Sequence, residues 1–313
     1  VKRATFAAAA SAAALARPAR AQEPQNLKLV IVISDDVTPV LYASQSGAFR
    51  RAGVGIDLQV VNSGAAAAAA VAGGAAQIGI SSLMNLLEAH ERGVPFILVA
   101  PGSVITTDDG YSQFIVLKDA PIRTARDLNG KTIAVPALRD LQSAAIMNWM
   151  DRNGGDPNSV RFVELPVSAA AVAVEEGRVD GANVNTPTLT RALDRGKVRV
   201  LAQIFNAIGP RFLNTAWFAT TDYVNANRDV ISRFARTLRD ASAYCNAHHA
   251  DTAPMVAAYM KLDTGLVARM ARCTFPEELS VRDIQPLVEI SVRYKLIAKP
   301  IDPQSLISPY AAR

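Results

Sequence analysis

The feature that most constrains this chain is an alternation. Short apolar runs recur along its first two thirds, LKLVIVIS (27–34), IDLQVVN (56–62), AQIGISS (76–82), PFILVAP (95–101), KTIAVPA (131–137), VRFVELP (160–166) and GANVN (181–185). Between them lie stretches of helical periodicity. Near-continuous apolar runs of this length suit strands buried on both faces, and their alternation with helices and short turns predicts parallel sheets wrapped by helices, an α/β fold. Glycines stand where helices should stop, at Gly53, Gly73, Gly74, Gly93, Gly154, Gly155, Gly177 and Gly196, in keeping with glycine at helix C-termini.

A weak internal repeat points to two similar lobes. A helix ending at Gly74 leads through Gln77 into Ile78-Gly79-Ile80 and the polar tip Ser81-Ser82; a later one ending at Gly177 leads through Asp180 into Gly181-Ala182 and the tip Asn183-Val184-Asn185. The alanine run 65–70 is either compositional bias or a short helix between a cap at Ser63 and a stop at Gly73. After NTAWFAT (214–220) the pattern turns almost wholly helical. DYVNANRDVISRFARTLRDASAYCNAHH (222–249) keeps Val230, Ile231, Phe234, Leu238, Ala241 and Tyr244 on one stripe, and further helices are expected at 253–260, 264–271 and 280–294, wrapping back over the molecule. The strands YSQFIVLKD (111–119) and NTAWFAT are expected to make the two crossings between lobes.

Residues 1–21 read as a cleaved secretory signal. Lys2 and Arg3 precede an uncharged, alanine-rich run of thirteen residues (4–16), and Ala19-Arg20-Ala21 fits cleavage after Ala21. That run is short of the roughly 20 residues that cross a bilayer, so membrane insertion is not expected. The whole chain has 33 Lys+Arg against 28 Asp+Glu; losing Lys2, Arg3, Arg17 and Arg20 leaves 29 against 28. A nearly neutral mature chain without a basic stripe argues against a nucleic-acid partner. The two cysteines, Cys245 and Cys273, either pair, which an oxidising compartment permits, or stand as isolated buried thiols. Neither they nor His90, His248 and His249 have zinc-ligand spacing, and neither a metal nor a cofactor is expected.

Ligands of parallel α/β sheets bind beyond the carboxyl ends of the strands, where helix N-termini present unpaired N–H groups. The residues there are 34–38 with Asp35, Asp36 and Thr38, then Ser63, then Ser81 and Ser82, then 101–103, then 137–140 with Arg139, and finally 183–186 with Asn183 and Asn185. Small polar groups of this kind bind well and react poorly. No histidine stands near them, and no nucleophile elbow, phosphate loop or His-Glu-x-x-His occurs. Asp35 and Asp36 are either helix caps or a carboxylate pair for acid–base work; one that faces the ligand would favour a substrate with an amine or hydroxyl. Arg139 is either a surface partner of an acid or a guanidinium that clamps an anion in the cleft.

Four segments resemble the periplasmic solute-binding proteins of ABC importers, in the branch that binds nitrate, taurine, aliphatic sulfonates and thiamine precursors. They are AVAGGAAQIGISS (70–82), DLNGKTIAVPALRDLQSAA (127–145), VAVEEGRVDGANVNTP (172–187) and RCTFPEELSVRDIQPLVEISVRYKLIAKPID (272–302). The resemblance implies a monomeric two-lobe clamp of the type II periplasmic-binding-protein fold, with lobe 1 at 22–112, lobe 2 at 113–208, and the C-terminal helices of 209–313 returning to lobe 1. It implies a periplasmic protein that delivers its ligand to a membrane permease with its ATPase, and a pocket lined by Asp36, Thr38, Ser63, Ser82, Arg139, Ser143 and Asn185. Where the family often has Trp-Glu-Pro, this chain has Asn185, Thr186 and Pro187, without the stacking ring and the acid. A secreted enzyme on the same scaffold and a sensory binding subunit are the alternatives. Relatives that make the thiamine pyrimidine carry a cysteine-rich cluster, which this chain lacks.

Overall fold

The computed structural model describes residues 25–107 and 110–311; the expected signal segment lies outside the described residues. The first sheet begins with β1 (Gln25–Ile31), α1 (Thr38–Gln45), α2 (Ala48–Arg51), β2 (Val54–Val60), α3 (Gly64–Ala72), β3 (Ile78–Ser82), α4 (Leu83–Glu91) and β4 (Phe96–Thr106). The second holds β5 (Ser112–Leu117), β6 (Thr132–Val135), α5 (Leu141–Arg152), β7 (Arg161–Glu164), α6 (Val167–Glu175), β8 (Gly181–Asn185), α7 (Thr188–Asp194) and β9 (Val198–Ala202). The chain then returns through β10 (Arg211–Thr220) to α8 (Thr221–Ala226), α9 (Arg228–Ala247), α10 (His249–Met260), α11 (Thr264–Arg269) and α12 (Val281–Arg293).

The two sheets share one plan. Their strand orders are β2-β1-β3-β10-β4 and β7-β6-β8-β5-β9, with parallel pairing on one side and one antiparallel strand next to the far edge. The repeat read in the sequence marks equivalent places in this plan, because β3 and β8 are the middle strands. Each carries a glycine under a phenylalanine: a Cβ on Gly79 would sit 2.8 Å from the Phe218 ring, and one on Gly181 would sit 2.6 Å from the Phe114 ring. Glycine is therefore required by close packing at both sites.

The crossings differ from the sequence expectation. YSQFIVL and NTAWFAT are the antiparallel strands β5 and β10, each wholly within one sheet, and the chain changes sheet ahead of each, between Thr106 and Ser112 and between Ala202 and Arg211. An antiparallel central strand is indistinguishable in sequence from its parallel neighbours when both faces are buried.

Burial follows the apolar periodicities. On α9, Val230, Ile231, Phe234, Leu238, Ala241 and Cys245 are buried, and Phe234 stacks on Phe49 and meets Trp217 edge-on, closing the outer face of the first sheet. Helices α6 and α7 cover one face of the second sheet. A third core runs from α3 and α4 through α12 into α5, so α12 packs against elements of both sheets. The alanine run forms α3, its start capped by Ser63. His248 alone ends α9, and α10 starts at His249 with Pro254 inside it. One missing N–H is tolerated there because Ala253, Val256 and Ala257 pack against α11.

Candidate functional site

A cavity of about 600 Å³ lies between the two sheets and draws its walls from both. Three helix starts reach it. Ser63 accepts a hydrogen bond from the Ala66 N–H (3.1 Å), Ser82 from the Asn85 N–H (3.2 Å), and Asp140 from the Ser143 N–H (2.8 Å), so each helix keeps further N–H groups free at its first turn. Ser63, Ser82 and Asp140 all line the cavity, with Gln142 beside the last of them.

Five of the nine residues expected from the sequence line this space: Asp36, Ser63, Ser82, Arg139 and Asn185. Four do not. The hydroxyl of Thr38 turns inward and donates to Asp35 (2.9 Å). Ser81 points to the opposite side of β3 from Ser82, as strand alternation requires, and accepts from the Asn85 amide (3.2 Å). Ser143 is fully buried and closes the capping box with Asp140, accepting from its N–H at 3.0 Å. Asn183 sits one pleat back from the tip and donates to Ser112 (2.7 Å), so it supports a wall residue without being one.

Four of the wall residues missed by sequence reasoning come from the antiparallel strands and the chain just ahead of them. Tyr111, Ser112, Asn214 and Thr215 line the cavity, although none of them stands at the carboxyl end of a parallel strand. Asn85 and Glu88, one turn apart on α4, and Phe205 complete much of the remainder. Tyr111 accepts from Asn185 (3.1 Å), and burial pushes its hydroxyl well above the ordinary tyrosine value, so it stays protonated.

Asp35 and Asp36 have separate roles. Asp35 is buried against Arg272, whose Nε donates at 2.8 and 2.9 Å and whose Nη2 lies 2.7 Å away; the Cys273 N–H adds a bond of 2.7 Å. Asp36 faces the cavity and accepts from Thr215 (3.2 Å) and the Cys273 thiol (3.7 Å). Burial pushes its carboxyl above the usual range, the Ser103 and Ser34 hydroxyls pull back, and the charge of Asp35 adds to the rise.

Arg139 is exposed on the cavity wall, and its guanidinium donates to the backbone carbonyl of Lys295, across the gap between sheets. Among the described residues it forms no ion pair with Asp140. Other bonds also cross the gap: Thr186 to the Ala271 carbonyl (2.9 Å), Arg269 to Asp194 (2.6 Å), and Asp151 with both Arg293 (3.2 Å) and Tyr294 (2.5 Å).

The open question of a disulfide resolves against pairing: Cys245 and Cys273 are both free and buried. Burial pushes the Cys245 thiol up to about 12 and the Cys273 thiol well above its ordinary value, with Asp36 and Asp35 adding to the latter. Because the thiolate is the reactive form, the native protein should leave a thiol reagent unconsumed, and unfolding without reductant should release two reactive thiols. A count of zero after unfolding would show a bridge. Among the described residues no group of three His, Cys, Asp or Glu side chains could hold a metal ion, and no helix is long and apolar enough to cross a membrane.

Twin sheets with one shared cleft define a two-lobed binding protein. The chain belongs to the NMT1/THI5-like family, whose model matches residues 34–252. It is 29% identical over 223 residues to the taurine-binding periplasmic protein of Escherichia coli K12, covering 70% of this chain and 67% of that one. Among solved structures it resembles the periplasmic aliphatic sulphonate binding protein SsuA from Escherichia coli, with a TM-score of 0.77 and 18% identity over 91% of this chain and 92% of that one. It also resembles the ligand-binding component of an ABC-type import system from Staphylococcus aureus, solved with zinc bound, with a TM-score of 0.78 and 12% identity over 91% and 97%. These likenesses show the periplasmic-binding-protein fold.

Proposed function

We propose that this chain is the solute-binding subunit of an ABC importer, a periplasmic protein that holds a small polar ligand with an acidic group between its lobes and passes it to a membrane permease with its ATPase. In this reading residues 22–112 and 209–313 form one lobe and residues 113–208 the other. The observation that carries it is the cavity walled by both sheets, where three capped helix starts and the Arg139 guanidinium meet. Helix N-termini and arginine are both suited to an anion. A ligand touching both lobes favours the closed arrangement to the extent that it binds it better than the open one. The family and the taurine-binding relative support a sulfonate or a similar oxyanion as the acidic group.

The enzyme alternative has less support. Among the described residues no histidine lines the cavity, and its charged residues are Asp36, Glu88, Asp140 and Arg139. Among the described residues no Ser–His or Cys–His pair of the kind that activates a nucleophile for acyl transfer lines it. Cys273 lies behind the wall with its proton held by burial.

A thermal-shift screen of the mature protein against taurine, alkanesulfonates, nitrate, carboxylates and pyrimidines tests this reading. A ligand at a hundred times its Kd should add about 2.7 kcal/mol of stability. Turnover of any of these compounds, with no compound raising the melting temperature, would favour the enzyme.

A further inference from the structure

Among the described residues, four charged side chains line the cleft, three acids and one base, an unexpected balance for a site that receives only an anion. Two of the acids are otherwise engaged. Glu88 lies 3.7 Å from Arg92, one turn along α4, and Asp140 caps α5. Asp36 differs from both: it is 7% exposed, it faces the cavity, and among the described residues it has no ion-pair partner. Its bonds come from neutral groups, the hydroxyl of Thr215 and the thiol of Cys273, with the hydroxyls of Ser34 and Ser103 beside it.

The neighbouring pair sharpens the contrast. Asp35 and Arg272 neutralise each other within a buried network that also holds Thr38 and the Cys273 N–H. Arg272 is thus committed to Asp35 by three contacts of 2.7 to 2.9 Å. Among the described residues the Asp36 carboxylate has no cationic partner, and a carboxylate ionised there would be costly without one. Neutral donors orient the carboxylate and leave its charge for a group arriving through the cavity. An ammonium placed there gains a charge-assisted hydrogen bond and cancels the charge; a simple anion gains neither.

We propose that Asp36 receives a positively charged nitrogen of the ligand, so that the cleft selects molecules carrying an ammonium or similar cation together with the acidic group that Arg139 receives. This assignment rests on the solute-binding reading and narrows it to zwitterionic ligands.

Matched pairs of ligands test it by calorimetry on the mature protein: 2-aminoethanesulfonate against ethanesulfonate, and 3-aminopropanoate against propanoate. In the wild type the amine-bearing member of at least one pair should bind about tenfold or more tightly than its partner, the value of one charge-assisted hydrogen bond. Asp36→Asn, nearly the same in shape, should bring that ratio to within about twofold, and Asp36→Ser should do the same. Melting of the unliganded variants shows that they fold, and the wild-type ratio alone decides if neither does. Equal or tighter binding of the amine-free members, or a ratio that survives both substitutions, overturns the assignment and leaves the solute-binding reading standing. A wild type that binds none of these, nor any other sulfonate, carboxylate, amino acid or polyamine, overturns both.

Discussion

Replacing Arg272 by alanine should cost about 3–5 kcal/mol of folding stability, because it strands the Asp35 carboxylate in the interior with its charge unpaired. Arg272 is 6% exposed and Asp35 3%, so water cannot take over the role of the guanidinium. The damage should reach beyond the pair. Asp35 also ties the Thr38 hydroxyl at the start of α1 and the Cys273 N–H of the returning chain, and the adjacent Thr274 bridges to Val104 on β4. With Arg272 removed, Asp35 and Asp36 would also become like charges side by side. Urea denaturation at neutral pH measures the loss, and a change below about 1 kcal/mol would show that the site takes up water or a proton at little cost. The double replacement Asp35→Leu with Arg272→Met should recover much of the loss, since apolar residues of similar volume often replace a buried pair without penalty. The Nη1 of Arg272, which has no hydrogen-bond partner among the described residues, makes that recovery more favourable.

The second large effect concerns affinity. Arg139→Ala should weaken the tightest ligand found in the screen by about 1.5–3 kcal/mol, the range for a hydrogen bond to a charged group. Arg139→Lys should recover only part of it, because an ammonium keeps the charge but loses the planar fork that matches an oxyanion. Titration calorimetry reads both. Unchanged affinity in the alanine variant would confine the guanidinium to its bond with the Lys295 carbonyl, a tie between lobes. Retained affinity for the closed form with faster ligand release, read by stopped-flow fluorescence, would have the same meaning.

Much of the site could be located from residue order. Asp36, Ser63, Ser82, Arg139 and Asn185 follow strands that any apolar-run reading would find, and polar residues just past such strands fall at one edge of a parallel sheet. Which of them face the cavity could not be read in the same way. Ser81 and Ser82 are adjacent and identical in type, yet one supports Asn85 from behind and the other lines the wall. The division between Asp35 and Asp36 depends on Arg272, 237 positions away in sequence for Asp35. No local pattern indicates that partner. Tyr111, Ser112, Asn214 and Thr215 were missed for a related reason: their strands run opposite to their neighbours, so residues near the start of the strand face the cleft, whereas those near the end do so in the parallel strands.

The sequence alone determined the fold class, the twin lobes and the edge of each sheet that bears polar tips, because strand and helix periodicities and helix caps are local properties of the chain. The tertiary structure decided the rest: which strands run antiparallel, that Cys245 and Cys273 stay apart, that Arg139 spans the gap, and that one acid of an adjacent pair is neutralised while the other faces the cavity. Those outcomes depend on side chains distant in sequence meeting in an interior of low dielectric, where a buried charge must find a partner.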